Sequence, residues 1–205
     1  MMTDWIKATI ESLGYTGIAL LMFLENLFPP IPSELIMPLA GYTANLPGAK
    51  LNIIGVFLAG LTGSVLGAIF WYYPGKFLSQ RRLQALVNRY GKWLSISGKD
   101  IIKAKDWFDR QGKKAVFIGR LVPGVRTFIS IPAGISDMRL PSFIFYTTLG
   151  SACWVGLLTY TGYVLGSQYE LVDKYLAPVS KFVLATLLLG FFFWVLKRKR
   201  KNKRR

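Results

Sequence analysis

The sequence predicts an all-α membrane protein. The expected architecture is an inverted repeat of two re-entrant helical hairpins, each followed by a Gly-rich transmembrane helix, with a C-terminal transmembrane helix and cytoplasmic amphipathic helices added. Three observations predict it. Residues 51–75 and 140–169 carry no charge at all, and each stretch exceeds the roughly 20 apolar residues a helix needs to cross a hydrocarbon core. Two further apolar segments are interrupted by proline and contain ionisable residues. The basic residues are concentrated in blocks that abut apolar spans, as topology-determining Lys and Arg do.

Taken in order, residues 1–14 read as a short interfacial helix, with Trp5, Ile6, Thr9, Ile10 and Leu13 on one face at helical spacing. Residues 15–46 are apolar but hold Glu25, Glu34, Pro29, Pro30, Pro32 and Pro38. Proline removes a helical hydrogen bond and clashes with the preceding turn, so the run Pro29-Pro30-Ile31-Pro32 cannot be continuous helix. Non-helical backbone at membrane depth survives only where protein or a wet cavity covers it. The segment is therefore expected to enter, break near Pro29–Pro32 and turn back. Residues 51–75 form the first spanning helix. Residues 76–114 hold eleven Lys and Arg against three Asp and read as cytoplasmic amphipathic helices, anchored by Ile101, Ile102, Trp107 and Phe108. Residues 115–138 are the second re-entrant hairpin, with Arg120 and Arg126 flanking the Pro123-Gly124 break. Spans at 142–166 and 177–196 follow. Lys181 lies near the start of the last span and can snorkel to the interface. The tail 197–205 has eight basic residues among nine.

The two broken segments align. Phe23 and Phe117, Pro29 and Pro123, and Pro38 and Pro132 each lie 94 residues apart; Ala40-Gly41 and Ala133-Gly134 lie 93 apart. In the following spans Gly60 and Gly150, and Tyr73 and Tyr163, lie 90 apart. The shared order of broken segment, short loop and Gly-rich span is the sign of a repeat. With the basic tail and the 76–114 block inside, 51–75 runs inward and 142–166 outward, so the repeats are inverted. That arrangement is the one transporters use to place broken helices at the midplane. The whole of 1–196 reads as a single membrane-embedded domain.

The formal net charge of +16 does not point to nucleic acid, because 19 of the 26 basic residues fall in the two blocks beside apolar spans. The partners those blocks suit are anionic lipid head groups. No histidine is present, and Cys153 is the single cysteine. Ser-His-Asp chemistry is excluded, the commonest metal ligand is missing, and neither a cofactor nor a metal is expected. No nucleophile–base constellation is visible, so an enzyme is not expected.

Four residues carry the candidate chemistry: Glu25 and Glu34 in the first broken segment, Arg120 and Arg126 in the second. A charge at the bilayer centre costs at least about 2.5–3.5 kcal/mol, and such residues are functional candidates by default. The competing reading is a set of salt bridges locking the repeats together. Guanidinium presents a planar fork of donors that fits phosphate. Gly119, Pro123 and Gly124 would let backbone N–H groups approach a ligand, and Asn26, Pro29, Pro30 and Pro32 support the first break. The acids suit gating or proton carriage.

The motifs Glu-Asn-x-x-Pro-Pro-Ile-Pro-Ser-Glu at 25–34 and Gly-Arg-Leu-Val-Pro-Gly-Val-Arg-Thr-Phe at 119–128, with Gly-Tyr-x-x-Gly at 162–166, resemble those of the DedA family, the bacterial branch of the VTT or SNARE-associated Golgi superfamily. The resemblance covers roughly residues 15–170. It implies opposed re-entrant hairpins, a multi-pass protein of the cytoplasmic membrane, and translocation of a phosphorylated lipid, above all undecaprenyl (polyprenyl) phosphate; the basic tail itself puts the C-terminus inside. It also implies that Glu25 and Glu34 are the family's essential acids and Arg120 and Arg126 its essential arginines. Where some relatives carry Asp at the second acidic position, this chain has Glu34. Two alternatives stay open: a broad phospholipid scramblase, and a proton-coupled exporter of small cations. A homo-oligomer is compatible with the sequence.

Overall fold

The computed structural model describes residues 2–27, 33–78, 98–123 and 125–165. The first break at Pro29–Pro32, Gly124, the 177–196 span and the basic tail lie outside the described residues.

All the described elements are helical. They are α1 (Met2–Leu27), α2 (Ser33–Ala44), α3 (Ile53–Phe77), α4 (Gly98–Leu121), α5 (Val125–Phe128), α6 (Ser130–Ile135) and α7 (Leu140–Leu165). Helix α1 is bent at Gly14, whose φ of 57° and ψ of −130° leave the helical region, a conformation glycine adopts without a side-chain penalty. The face expected to lie on the membrane surface divides there. Ile6 and Ile10 are buried in the protein core, while Trp5 and Leu13 are about half exposed (49% and 51%). The first turns of α1 thus pack on the body of the protein as well as presenting apolar side chains outward. Helix α4 runs straight through residue 114, where the charged block gives way to the apolar segment. The Lys113-Lys114-Ala115 sequence contains good helix formers, so the change in polarity falls inside one helix and its backbone continues.

Among the described residues, α3 and α7 are the two helices long and apolar enough to cross a membrane. Their large side chains point outward: Leu58, Leu66 and Phe70 on α3, and Phe145, Leu149 and Leu157 on α7, are all exposed. Apart from Tyr72 and Phe143, their inner faces are mostly small. This inverts the soluble pattern and lets helix backbones approach closely, which is how helices associate when lipid is as apolar as leucine.

The contacts made by these helices recur in the two halves of the chain. α1 packs on α3 as α4 packs on α7, and α2 lies on α7 as α6 lies on α3. A Cβ on Gly41 would collide with the carbonyl oxygen of Thr159, and one on Gly134 with the carbonyl oxygen of Tyr72. Reciprocally, Gly162 faces the backbone of Pro38, and Gly75 faces that of Ile131. Each short broken-segment helix is therefore pressed backbone to backbone against the long helix of the opposite half.

Two apolar clusters result. One joins Ile6, Ile10, Ile18, Leu21, Met22, Ile36 and Met37 to Val56 on α3 and Val155 on α7. The other joins Ala68 and Tyr72 of α3 to Phe108, Val116, Ala133 and Phe143. The first sits at the start of α3 and the end of α7, and the second at the opposite ends, so the space between them is near the middle of both long helices. Tyr72 closes the second cluster: its ring stacks on Phe143, with centroids 4.7 Å apart, and its hydroxyl donates to the Met138 carbonyl at 2.5 Å.

Candidate functional site

The four ionisable residues singled out in the sequence are brought to that middle region. Glu25 lies in the last turn of α1. Its neighbour Asn26 packs against Gly67 of α3, and the Asn26 carbonyl accepts a 2.7 Å hydrogen bond from Trp71 Nε1. Ser33 starts α2 and lies within 3.4 Å of Trp154 Nε1 on α7. Arg120, in the last turn of α4, packs its stem on Gly150 of α7. Gly67 lies near the middle of α3, and Gly150 and Trp154 near the middle of α7.

Arg126 Nη2 donates to Glu25 Oε2 at 2.5 Å, and the two side chains are only 11% and 1% exposed. Ser33 lies beside the same Glu25 carboxylate. Arg120 is 2% exposed. Its Nη2 donates to the Ser130 hydroxyl at 2.7 Å, while its Nε is buried with no hydrogen-bond partner among the described residues. Glu34 is buried at 5% exposure in the first turn of α2, where the positive helix end favours an anion. Arg120, in a last turn, has the complementary placement for a cation. The electrostatic coupling reaches further than the bonded pair: Glu25 interacts with Glu34 as well as Arg126, and Arg120 with both Arg126 and Glu25. With all four ionised the cluster is formally neutral, but its partners are unequal. Glu25 holds one guanidinium, whereas Arg120 has a single neutral hydroxyl among the described residues.

Of the supporting residues, Asn26 is buried. Its Nδ2 donates to the Met22 carbonyl at 3.0 Å, and its Oδ1 has no partner among the described residues. Gly119 lies against the Ile129 side chain, and Pro123 follows the end of α4. Pro29, Pro30, Pro32 and Gly124 lie outside the described residues. Sequence reasoning missed Ser33, Ser130, Trp71 and Trp154. Ser33 and Ser130 did carry a signal, as hydroxyls in otherwise apolar runs beside a proline-broken segment. Nothing in the sequence marks the two tryptophans as site residues, because an interfacial tryptophan has the same composition context.

The sequence profile of the VTT domain matches residues 17–164, a stretch that includes all four charged residues. The chain belongs to the VTT-domain, or DedA, family. A relative from Lactococcus lactis subsp. cremoris, named alkaline phosphatase-like protein, is 41% identical over 202 residues, covering 96% of this chain and 94% of its own. Undecaprenyl phosphate transporter A of Staphylococcus aureus is 30% identical over 203 residues, covering 99% of each chain. The Bacillus subtilis protein of the same name is 33% identical over 197 residues, covering 94% of this chain and 93% of its own. No solved structure matches. Membership of this family, with two helices apolar enough to span, makes the chain a membrane protein.

Proposed function

We propose that this VTT-domain protein carries the phosphate head group of a polyprenyl phosphate across the cytoplasmic membrane while the prenyl chain stays in lipid. In this reading residues 15–46 and 115–138 are opposed re-entrant hairpins of an inverted repeat, residues 1–196 are one domain, and the C-terminus is cytoplasmic. The single observation that carries the proposal is the buried Arg120 guanidinium at mid-depth, held among the described residues by one neutral hydroxyl with its Nε unmet. A buried cation without an ionic partner is destabilising. It suits a site whose counter-ion is supplied by the ligand.

A phosphate would satisfy Arg120 and compete with Glu25 for Arg126. The released Glu25 and the neighbouring Glu34 would then be free to take up protons or shift the hairpins. Both arginines are chosen for their planar fork, which a phosphate accepts through two parallel hydrogen bonds. The polyprenyl substrate rests on the names of the Staphylococcus and Bacillus relatives. The Lactococcus name favours a second reading, hydrolysis of the phosphate, for which the mid-depth cluster offers Ser33 and Ser130 hydroxyls but no histidine base.

One experiment tests both. The protein is reconstituted with a fluorescent polyprenyl phosphate, and leaflet transfer and phosphate release are followed together. Transfer without phosphate release is expected. Arg120→Lys and Arg126→Lys keep the charge but lose the fork, and each should lower transfer at least tenfold with normal insertion. Full activity in both lysine variants would leave the arginines as generic positive charge. Phosphate release that stops with Ser33→Ala or Ser130→Ala would replace transport by hydrolysis.

A further inference from the structure

A second group of basic side chains lies away from the mid-depth cluster. A cavity of about 460 Å³ opens where the middle of α4 meets the turn between α6 and α7. Arg110, Lys113 and Arg139 line it, together with Asp109, Asp137 and Ser136. Among the described residues neither Lys113 nor Arg139 is in an ion pair. Ser136 is nine-tenths buried, and its hydroxyl has no hydrogen-bond partner among the described residues.

The walls of this cavity are fixed. Asp137 takes a left-handed φ of 53°, which Asp tolerates better than most residues. It ends α6 with its N–H on the Gly134 carbonyl at 3.0 Å, and the Met138 N–H returns to the Ala133 carbonyl at 3.1 Å. Tyr72 holds the Met138 carbonyl from the other side. The cavity is therefore a preorganised part of the fold.

Helix α7 starts at this wall in an unusual way. Its first intrahelical bond runs from the Phe143 N–H to the Arg139 carbonyl at 2.9 Å. The N–H groups of Leu140 and Ser142 therefore precede the helical ladder. The first turn holds no acid, and the residue at the cap is Arg139, a cation at the positive end of a 26-residue helix. That placement opposes the macrodipole and is relieved by an anion bound between the helix start and the two basic side chains. Asp109 and Asp137 oppose such an anion, yet three cations against two acids, added to the helix end, leave the cavity positive. Trp107, 54% exposed on α4 one residue from the Phe108 floor, is the type of residue that anchors at head-group level.

We propose that this cavity binds the phosphate of one anionic lipid in the leaflet it faces, through Lys113, Arg139 and the Ser142 N–H in the first turn of α7, with the Ser136 hydroxyl as a further donor. The site is independent of the transport reading, because it shares no residue with the mid-depth cluster. It also differs from the diffuse attraction of basic segments to anionic lipid, since it predicts one bound lipid per chain.

The full chain in detergent is titrated with short-chain phosphatidic acid, phosphatidylglycerol, phosphatidylcholine and inorganic phosphate, and bound copies are counted by native mass spectrometry. One tightly held phosphatidic acid or phosphatidylglycerol is expected, with phosphatidylcholine at least tenfold weaker. Lys113→Gln with Arg139→Gln should lower that affinity at least tenfold. Arg126→Gln should leave it unchanged even where transport is lost. The cavity-filling Ser136→Leu gives a check that does not depend on charge and should also weaken binding. The proposal is overturned by unchanged affinity in the Lys113/Arg139 variant, by equal binding of phosphatidylcholine, or by many weak copies lost together in salt. Loss of the bound lipid in Arg126→Gln would instead move it to mid-depth, and inorganic phosphate competing at equal concentration would make this a free-phosphate site.

Discussion

The Glu25–Arg126 pair can act as a strut or as a ligand site, and a charge exchange separates the two. The carboxylate and guanidinium meet at 2.5 Å with side chains 1% and 11% exposed. Removing one member of such a buried pair leaves the other without compensation, which typically costs about 3–5 kcal/mol. Glu25→Gln and Arg126→Gln should therefore each shift the unfolding equilibrium by roughly 150-fold or more, at about 1.36 kcal/mol per tenfold. Arg126 is the more exposed partner, so the variant that strands it should be the milder of the two. The double variant removes both charges, and its loss should fall short of the sum by about 1–3 kcal/mol.

Exchange of the two, Glu25→Arg with Arg126→Glu, restores an ion pair across the same contact. It should recover much of the stability. If the pair only ties the halves together, transport recovers as well. If Arg126 is a phosphate ligand, stability returns and transport does not, because the fork now sits on α1 and the acid on α5. Reversible unfolding in mixed micelles gives the first quantity and leaflet transfer in proteoliposomes the second. Single variants that each cost less than about 1 kcal/mol, with an additive double, would refute the coupling on which this reasoning rests.

Three more outcomes are expected. Gly41→Val and Gly134→Val place a branched side chain against the backbone of the opposing long helix. Both should cost at least about 1–3 kcal/mol, read as a lowered thermal midpoint, and comparable losses would match the recurrence of the contact in the two halves. With the exposed Cys153 first removed, cysteines at positions 48 and 170 should be labelled from outside by an impermeant reagent, and those at 88 and 202 only after permeabilisation; external labelling at 88 would overturn the inverted topology. Moving a phosphate inward opposes an inside-negative potential by about 2.3 kcal/mol per charge at 100 mV, so inward transfer should rise when the outside is acidified and Glu34→Gln should abolish that rise; equal rates with and without a proton gradient would make the protein a passive scramblase.

Much of the fold is legible in the sequence for simple reasons. Uncharged stretches longer than a bilayer is thick have few alternatives to a spanning helix, and α3 and α7 occupy the two that lie within the described residues. The candidate site is legible because charges inside apolar segments are rare and costly. What the sequence hides is the inequality within the charged quartet. Residues 101 positions apart, Glu25 and Arg126, form the pair, while Arg120 turns to Ser130, across the second break but within its own half of the chain. Spacing alone treats the two arginines as equivalent, since both flank Pro123-Gly124. Their difference comes from which helix carries each one: Arg120 ends a long helix pinned against Gly150, whereas Arg126 sits on the short α5 that faces the end of α1.

The alignment of the halves has a similar physical limit. Matching prolines and glycines sets Gly60 beside Gly150, 90 residues on, but the contacts set Gly63 beside it. Gly63 would collide with the Ala19 carbonyl of α1, and Gly150 with the Phe117 carbonyl of α4. Gly75 and Gly162 keep the same separation of 87 residues. A ladder of glycines at helical spacing aligns almost equally well one turn out of step, and only the approach of a second helix decides which rung is meant. The recurring contacts also explain why the charges lie where they do. α2 rests on the long helix of the second half and α6 on that of the first, so neither half can bury its broken segment alone. The ends of those segments must meet at the crossing of α3 and α7. A cluster built there draws Glu25 and Glu34 from one half and Arg120 and Arg126 from the other, and the Glu25–Arg126 contact joins the two halves directly.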